Sequence, residues 1–358
     1  MMIEFDDVSL TLGDFSLKNL TLEISKGDYY FVLGPSGAGK TVILEAIAGL
    51  HRPDSGRILI RGEDVSGIPP EKRKIALVYQ DYSLFPHMSV YENIAFGLLM
   101  QKAGKEEVSK AVDNIMNRLG ISHLRDRHPL TMSGGEQQRV ALARSLVVNP
   151  DILLLDEPLS AMDPITREKF ISDLRSLHKE LGITIVQVTH SRDEVFALAE
   201  KVAVISSGKL EQEGTLNDVF RKPENSVVGR FIGIENVLLG SVGGCSENGG
   251  CTVDICGVKI RALCEAGDKK EICAYIRGVD VGIDTVMSDS PVSGSRNVLP
   301  GSVLCVNPYN SMYRVYVDCG FSLCSLLTER EVDAMKIEPG KDVYAFFEDS
   351  AVHLTGRD

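Results

Sequence analysis

No uninterrupted apolar run in this 358-residue chain approaches the roughly 20 residues that a membrane-spanning helix needs. The opening residues, Met1-Met2-Ile3-Glu4-Phe5-Asp6-Asp7, are acidic and hold no apolar signal-peptide core. The chain is therefore expected in the cytoplasm, and any work at a membrane would need a spanning part from another chain. Positive charge is short: 38 Lys and Arg stand against 50 Asp and Glu, for a formal net charge of −12, and no block of basic residues offsets it. That balance repels a polyphosphate backbone and excludes nucleic acid as the main partner. Cysteine is missing from everything upstream of Cys245. All 8 cysteines lie between Cys245 and Cys324, with no C-x-x-C pair. Free thiols acting as small apolar core residues are expected, with a metal or redox role as the alternative, and disulfides are not expected in a cytosolic chain.

What is present is ordinary globular composition, 44% hydrophobic and 25% charged, in a length that suggests two or three domains. Within it, Gly34-Pro35-Ser36-Gly37-Ala38-Gly39-Lys40-Thr41 fits G-x-x-x-x-G-K-[ST], a phosphate-binding loop. The apolar run Tyr29–Leu33 before it reads as a buried strand, and Val42–Leu50 after it as a helix. Glycines let successive backbone N–H groups turn toward one point, and the helix start adds partial positive charge. Lys40 would reach the β- and γ-phosphates, and the Thr41 hydroxyl would ligate Mg²⁺. Further on, Ile152-Leu153-Leu154-Leu155 reads as a buried strand ending in Asp156 and Glu157. Asp156 would hold Mg²⁺ through its water shell, and Glu157 would act as general base on the attacking water. Between them, Ser133-Gly134-Gly135-Glu136-Gln137-Gln138-Arg139 opens a helical run. Paired glycines at a helix entry expose backbone N–H groups to an anion. A second such element in a chain that already has a phosphate loop suggests ATP sandwiched between two chains.

Short β-like runs fill residues 2–33, and residues from about 89 to 148 read as mostly helical. Apolar segments Ile152–Leu155, Ile183–Val188 and Val202–Ile205 then alternate with helices, the pattern of a parallel sheet flanked by helices. After about residue 232 the pattern changes to turn signals and period-two runs such as Tyr313-Arg314-Val315-Tyr316-Val317, which suggests an all-β domain.

The order of these motifs resembles the ATP-binding-cassette family. Gly34–Thr41 matches its Walker A motif, Gln80 its Q-loop glutamine, and Ser133–Gln137 its LSGGQ signature, with Met132 for Leu and Glu136 for the last Gln. Ile152–Pro158 matches Walker B, Ser160–Asp163 the D-loop and His190 the switch histidine. The resemblance implies an α/β P-loop ATPase over residues 1–232, a mixed-sheet core with a helical subdomain at about 85–148. An all-β, OB-like TOBE/Mop-type domain over 233–358 would follow. It implies that Gln80 senses Mg²⁺ and the attacking water, and that His190 contacts the γ-phosphate and holds the water and Glu157. Ser133, Gly134, Gly135, Glu136 and Asp163 would complete the nucleotide site across a homodimer. An aromatic upstream of the phosphate loop stacks on adenine in this family. Phe15 is the candidate, though a core phenylalanine fits the same position.

The segment Gln80–Val90 resembles the part that importer ATPases present to their permease. Arg61–Val65, Pro69–Arg73 and Ile234–Leu238 are most similar to the ATPases of molybdate/tungstate importers of archaeal type. The resemblance implies transmembrane permease subunits, an extracellular or periplasmic oxyanion-binding protein reached indirectly, and a place on the cytoplasmic face of the membrane. Importers of sulfate, ferric iron, polyamines or sugars are the alternative, and a soluble non-transport cassette the more distant one. The C-terminal part departs from its family's oxyanion-sensing pattern at three places. Gly294 replaces a serine within Ser293–Asn297, Glu331 replaces a hydroxyl after Thr328, and Glu348 replaces a lysine. A carboxylate near a dianion adds repulsion of about 1 kcal/mol or more. The expectation is a regulatory site whose oxyanion binding is lost or altered, with Ser293 and Ser295 in partial compensation.

Overall fold

The computed structural model describes residues 1–160, 162–245, 250–263, 271–286 and 296–357. It divides into two compact units, Met1–Leu216 and Asn217–Asp358. The first unit contains, in order, β1 (Ile3–Leu12), β2 (Phe15–Ile24), β3 (Tyr29–Leu33), α1 (Lys40–Ala48), β4 (Ser55–Ile60), β5 (Glu63–Asp64), β6 (Ile75–Val78), α2 (Val90–Met100), α3 (Lys105–Arg118), α4 (Gly134–Leu146), β7 (Ile152–Asp156), α5 (Pro164–Leu181), β8 (Thr184–Val188), α6 (Arg192–Leu198), β9 (Lys201–Ser206) and β10 (Lys209–Thr215).

Two sheets organise this unit. An antiparallel sheet runs β2-β1-β4-β5, and a six-stranded sheet runs β10-β9-β3-β8-β7-β6. From β9 to β6 every pairing in the second sheet is parallel, and only β10 joins antiparallel. All five residues of β3, β7 and β8 are buried. Strands covered on both faces need continuous apolar sequence rather than alternation, which is why these three runs lack polar partners except where a bond is made. α1 packs on this sheet through Ile43, Leu44 and Ile47, in one core with Phe5, Leu22 and Val186. Ser89 and Glu92 start α2 with a reciprocal capping box. α2 packs against both α3 and α4, forming the helical part expected near 85–148. No described helix is long and apolar enough to cross a membrane.

α7 (Leu216–Arg221) begins at the division between the units, and α8 (Ser226–Ile232) follows. The second unit then carries β11 (Asn236–Cys245), β12 (Gly250–Ile255), β13 (Val258–Leu263), β14 (Glu271–Ile276), β15 (Gly282–Asp284), β16 (Arg296–Tyr309), β17 (Met312–Asp318), β18 (Ser322–Thr328), α9 (Glu329–Met335), β19 (Asp342–Glu348) and β20 (His353–Gly356). Two five-stranded antiparallel sheets, β13-β12-β11-β14-β20 and β15-β19-β16-β17-β18, enclose one apolar core. The all-β reading holds for the body of this unit, with short helices at its start and after β18.

The cysteine reading needs one correction. Cys251 is disulfide-bonded. Spacing along a single strand is blind to neighbours across strands, and the β11–β12 register sets Cys245 opposite Cys251. Cys319 and Cys324 are buried free thiols, as expected of small apolar residues, and Cys273 is buried as well. Burial pushes both Cys319 and Cys324 up to about 11.

Asn236 joins the two sheets of the second unit. Its Nδ2 donates to the Ile276 carbonyl at 3.0 Å and the Cys324 carbonyl at 2.8 Å, and its Oδ1 accepts from the Cys324 N–H at 2.6 Å. Asn236→Ala would leave these buried groups unpaired. We expect a loss of about 3 kcal/mol, read by chemical denaturation as an earlier unfolding of the second unit, while Asn236→Asp, which sets an acceptor-only carboxylate oxygen against two carbonyls, should cost at least as much.

Candidate functional site

The loop between β3 and α1 owes its shape to close approaches that only glycine permits. At Gly39, with φ +102°, an added Cβ would lie 2.2 Å from the Phe15 ring. At Gly34 it would lie 2.1 Å from the Ile205 carbonyl oxygen. Lys40 is buried at the start of α1, and its Nζ donates to the Gly34 and Pro35 carbonyls, each at 2.9 Å. Burial lowers the Lys40 pKa, against the pull of Glu157 and Asp156. Thr41 Oγ1 donates to Asp156 Oδ2 at 2.9 Å. Asp156 is itself buried, which raises its pKa, while the Thr41 bond works the other way.

Parallel register brings the remaining groups to the same sheet edge. Asp156 pairs with Val188, so the turn after β8 lies beside the end of β7. Glu157 adopts the left-handed conformation at φ +45° and donates its backbone N–H to the Val188 carbonyl at 2.9 Å. Its Oε2 meets His190 Nδ1 at 3.0 Å. A non-glycine residue held at positive φ stores strain of about 1–3 kcal/mol, and such residues cluster at functional sites. A cavity of about 510 Å³ is lined by Leu12, Phe15, Ser36, Lys40, Thr41 and Glu157, among others. Phe15 lines this cavity, half-buried over Gly39, and also packs against the hydrophobic core.

Gln80 comes after β6, beside the end of β7, where Val78 pairs with Leu155. Its side chain is exposed and is not among the cavity's lining residues. Thr41 and Asp156 offer oxygen donors that suit Mg²⁺, which takes one or two protein oxygens and completes its shell with water and phosphate. Among the described residues no group of three or more His, Cys, Asp or Glu side chains is gathered for a resident metal.

Ser133 and Asp163 stand apart from this cavity within the chain. Ser133 caps α4 in a reciprocal box with Glu136. The Ser133 N–H and Oγ donate to Glu136 Oε2 at 2.8 and 2.9 Å, and the Glu136 N–H donates back at 3.4 Å. The Ser133 backbone bond and hydroxyl hold the Glu136 carboxyl below its usual range. Asp163 caps α5 by accepting from the N–H groups of Ile165 and Thr166, both at 3.1 Å. Gly135 faces the start of α5, where an added Cβ would lie 3.2 Å from Thr166 Cγ2.

The segment after Gln80 is shaped by two residues to which the motifs do not point. Asn93 is fully buried on α2. Its Nδ2 donates to the carbonyls of Phe85, Met88 and Ser89, and its Oδ1 accepts from the Phe85 N–H. Arg144, near the end of α4, donates to the Ser83 carbonyl at 2.8 Å and the Tyr82 carbonyl at 3.0 Å, and sits over the Phe85 ring. The only signal of either in the sequence is a polar side chain at an apolar helical position.

In the second unit, Ser293, Gly294 and Ser295 lie outside the described residues. Arg296 places its guanidinium 3.4 Å over the Phe346 ring, and Asn297 is buried against the Arg261 backbone and Asp349. Glu331 accepts from the Thr328 N–H and Oγ1, both at 2.7 Å. Glu348 stands opposite Arg296 in the β16–β19 register. Among the described residues, Arg296, Asn297 and Glu331 are thus engaged within their own chain.

Comparison with known proteins adds two family matches, ABC transporter over residues 17–160 and TOBE domain over 294–354. The molybdate/tungstate import ATP-binding protein WtpC of Pyrococcus horikoshii is 38% identical over 354 residues, covering 99% of both chains. Its counterpart in Thermococcus kodakarensis is 43% identical, over 85% of this chain and 88% of that one. The spermidine/putrescine import ATP-binding protein PotA of Lawsonia intracellularis is 45% identical over 69% of this chain and 68% of its own length. Among solved structures, the dimeric ATP-binding cassette MJ0796 bound to ADP and Pi matches with a TM-score of 0.55 at 31% identity. The match covers 60% of this chain and 99% of that one.

Gly39→Ala tests how the loop is built. A methyl group at φ +102° against Phe15 should cost about 2 kcal/mol or more of stability in the first unit. Thermal unfolding of Gly39→Ala, Phe15→Ala and the double variant should show that removing the ring recovers part of the loss.

Proposed function

The chain belongs to the ABC transporter ATP-binding family, and from that premise we propose that it is the ATP-hydrolysing subunit of a molybdate or tungstate importer. The observation that carries the cargo is the reach of the similarity. Two relatives named for molybdate/tungstate import match over 99% of this chain, including the β unit, and a third over 85%, whereas those named for spermidine and putrescine import match over 63% to 81%.

In this reading the backbone N–H groups of Gly37–Thr41 and the Lys40 ammonium bind the triphosphate, and Phe15 covers the adenine. Thr41, and Asp156 through the ion's water shell, would hold Mg²⁺, and Gln80 would reach toward the metal and the attacking water. When bound, Mg²⁺ offsets charge on the β- and γ-phosphates. Glu157 takes the proton from the attacking water. His190, donating through Nδ1 to Glu157 Oε2, fixes the carboxylate's direction and contacts the γ-phosphate. The N-terminal end of α4 (Ser133, Gly134, Gly135 and Glu136) and Asp163 of a second copy close over the triphosphate, making a homodimer with two shared sites. The Gln80–Val90 segment, held by Asn93 and Arg144, docks on a transmembrane permease at the cytoplasmic face of the membrane. An oxyanion-binding protein outside the cell acts on the complex only through that permease.

The second unit would not act as an oxyanion sensor, because Glu331 and Asn297 consume the donors an oxyanion needs. Calorimetry of the full chain with molybdate or tungstate should show no micromolar binding; heats saturating in that range would count against this part.

Glu157→Gln keeps the cavity's shape and removes the base. We expect kcat for ATP hydrolysis to fall about 100-fold or more, with ATP affinity retained and an ATP-dependent dimer on gel filtration. Normal turnover by this variant would remove Glu157 from its role. Cargo is tested in vesicles carrying the cognate permease and binding protein: tungstate, and not spermidine, should stimulate the ATPase.

A further inference from the structure

One face of α4 lies over the turn that follows Glu157. Gly135, Gln138 and Arg139 stand at helical spacing and so share that face. A Cβ on Gly135 would lie 3.2 Å from Thr166 Cγ2 and 3.5 Å from Met162 Cε. Arg139 donates through Nη1 to Asp173 Oδ2 at 2.6 Å, and its guanidinium lies 5.3 Å from the centre of the Phe170 ring, both on α5. Beside them Gln138, only 1% exposed, directs its amide at the turn, where its Nε2 donates to the Pro158 carbonyl.

Pro158 directly follows Glu157. Glu157 holds φ +45°, a conformation that persists only where the surroundings over-determine it. Three sets of contacts fix its flanking peptide groups. The Glu157 N–H donates to the Val188 carbonyl at 2.9 Å. The Glu157 carbonyl accepts from Ser160, from Oγ at 3.0 Å and from the N–H at 3.3 Å. The Pro158 carbonyl accepts from Gln138. The first hold comes from the sheet, the second from within the turn and the third from α4. The third adds little to stability, because Gln138 Oε1 is buried with no hydrogen-bond partner. The amide satisfies one buried acceptor and brings another that is unsatisfied, whereas an apolar side chain of the same bulk would leave only the Pro158 carbonyl unpaired. The two arrangements come close to balancing. What the amide supplies is direction for the peptide group next to Glu157.

We propose that Gln138 is a positioning residue for the general base, setting from α4 the turn that aims the Glu157 carboxylate. This rests on the catalytic reading of Glu157 given above. In that reading the helix that presents Ser133 to the triphosphate of a second copy also holds the turn behind its own chain's base.

Steady-state ATP hydrolysis by the full chain tests this. Gln138→Met keeps the bulk and removes the donor. It should lower kcat about tenfold with KM for ATP and the thermal midpoint nearly unchanged, since a displaced catalytic group costs rate rather than binding. Gln138→Glu keeps the length and offers a donor only while its carboxyl is protonated, which burial favours. Its kcat relative to the unaltered chain should therefore fall as pH rises, while the same ratio for Gln138→Met stays level. In a Glu157→Gln background, which should itself lower kcat, Gln138→Met should have no further effect. An unchanged kcat in Gln138→Met, a level pH ratio for Gln138→Glu, or a full further tenfold loss in the Glu157→Gln background would overturn the proposal. Should Glu157→Gln leave kcat unaltered, the failure lies in the catalytic reading beneath, and the proposal falls with it.

Discussion

Parallel pairing of β3, β8, β7 and β6 puts four strand ends on one edge of the sheet, and the site is assembled from the residues just beyond each end. After β3 comes the phosphate loop, after β7 the pair Asp156 and Glu157, and after β8 the His190 turn; Gln80 follows β6 with its side chain exposed, outside the cavity's lining. A slip of one residue between β7 and β8 would part Asp156 from Val188. The Glu157 N–H would then lose the Val188 carbonyl, and His190 would lose Glu157. The fully buried character of these strands makes such slips costly, so apolar packing fixes the distances among polar groups. The 2.9 Å bond from Thr41 to Asp156 then locks the first helix to the end of β7.

Much of this is legible from residue order because the chemistry is local. Gly34–Thr41 declares its turn by glycine spacing, and Asp156 and Glu157 stand at the end of an unmistakable apolar run. Phe15 is ambiguous in the sequence, since an aromatic beside a strand fits a core as well as a ring-stacking surface. Its place becomes clear only with its distance to Gly39. Contacts that cross long stretches of chain leave no such mark. Arg144 reaches the Tyr82 and Ser83 carbonyls, and Tyr29 reaches Gln187, across sequence separations that no motif records. The Cys251 disulfide is invisible for the same reason, because strand pairing rather than spacing decides which thiols meet.

The two units dispose of their polar groups differently although both are built from the same local devices. In the first, Gly37 and Gly39 adopt positive φ and line a cavity together with Phe15 and Thr41. In the second, Asn297 spends its amide on Arg261 and Asp349, Arg296 lies on an aromatic face, and Glu331 takes the Thr328 hydroxyl. Of the three departures in the sequence, Glu331 is, in space, the acceptor for the Thr328 N–H and hydroxyl.

Three helices of this chain begin with the same four-residue box, Ser89 with Glu92, Ser133 with Glu136 and Thr328 with Glu331. At α4 that box has an effect beyond helix stability. The carboxylate of Glu136 is a tethered anion already seated on the hydroxyl and N–H of Ser133. The Ser133 N–H and hydroxyl at this helix end are thus answered from within the chain itself, so the residue that opens α4 and the acid one turn on are a single unit, and neither can move without the other.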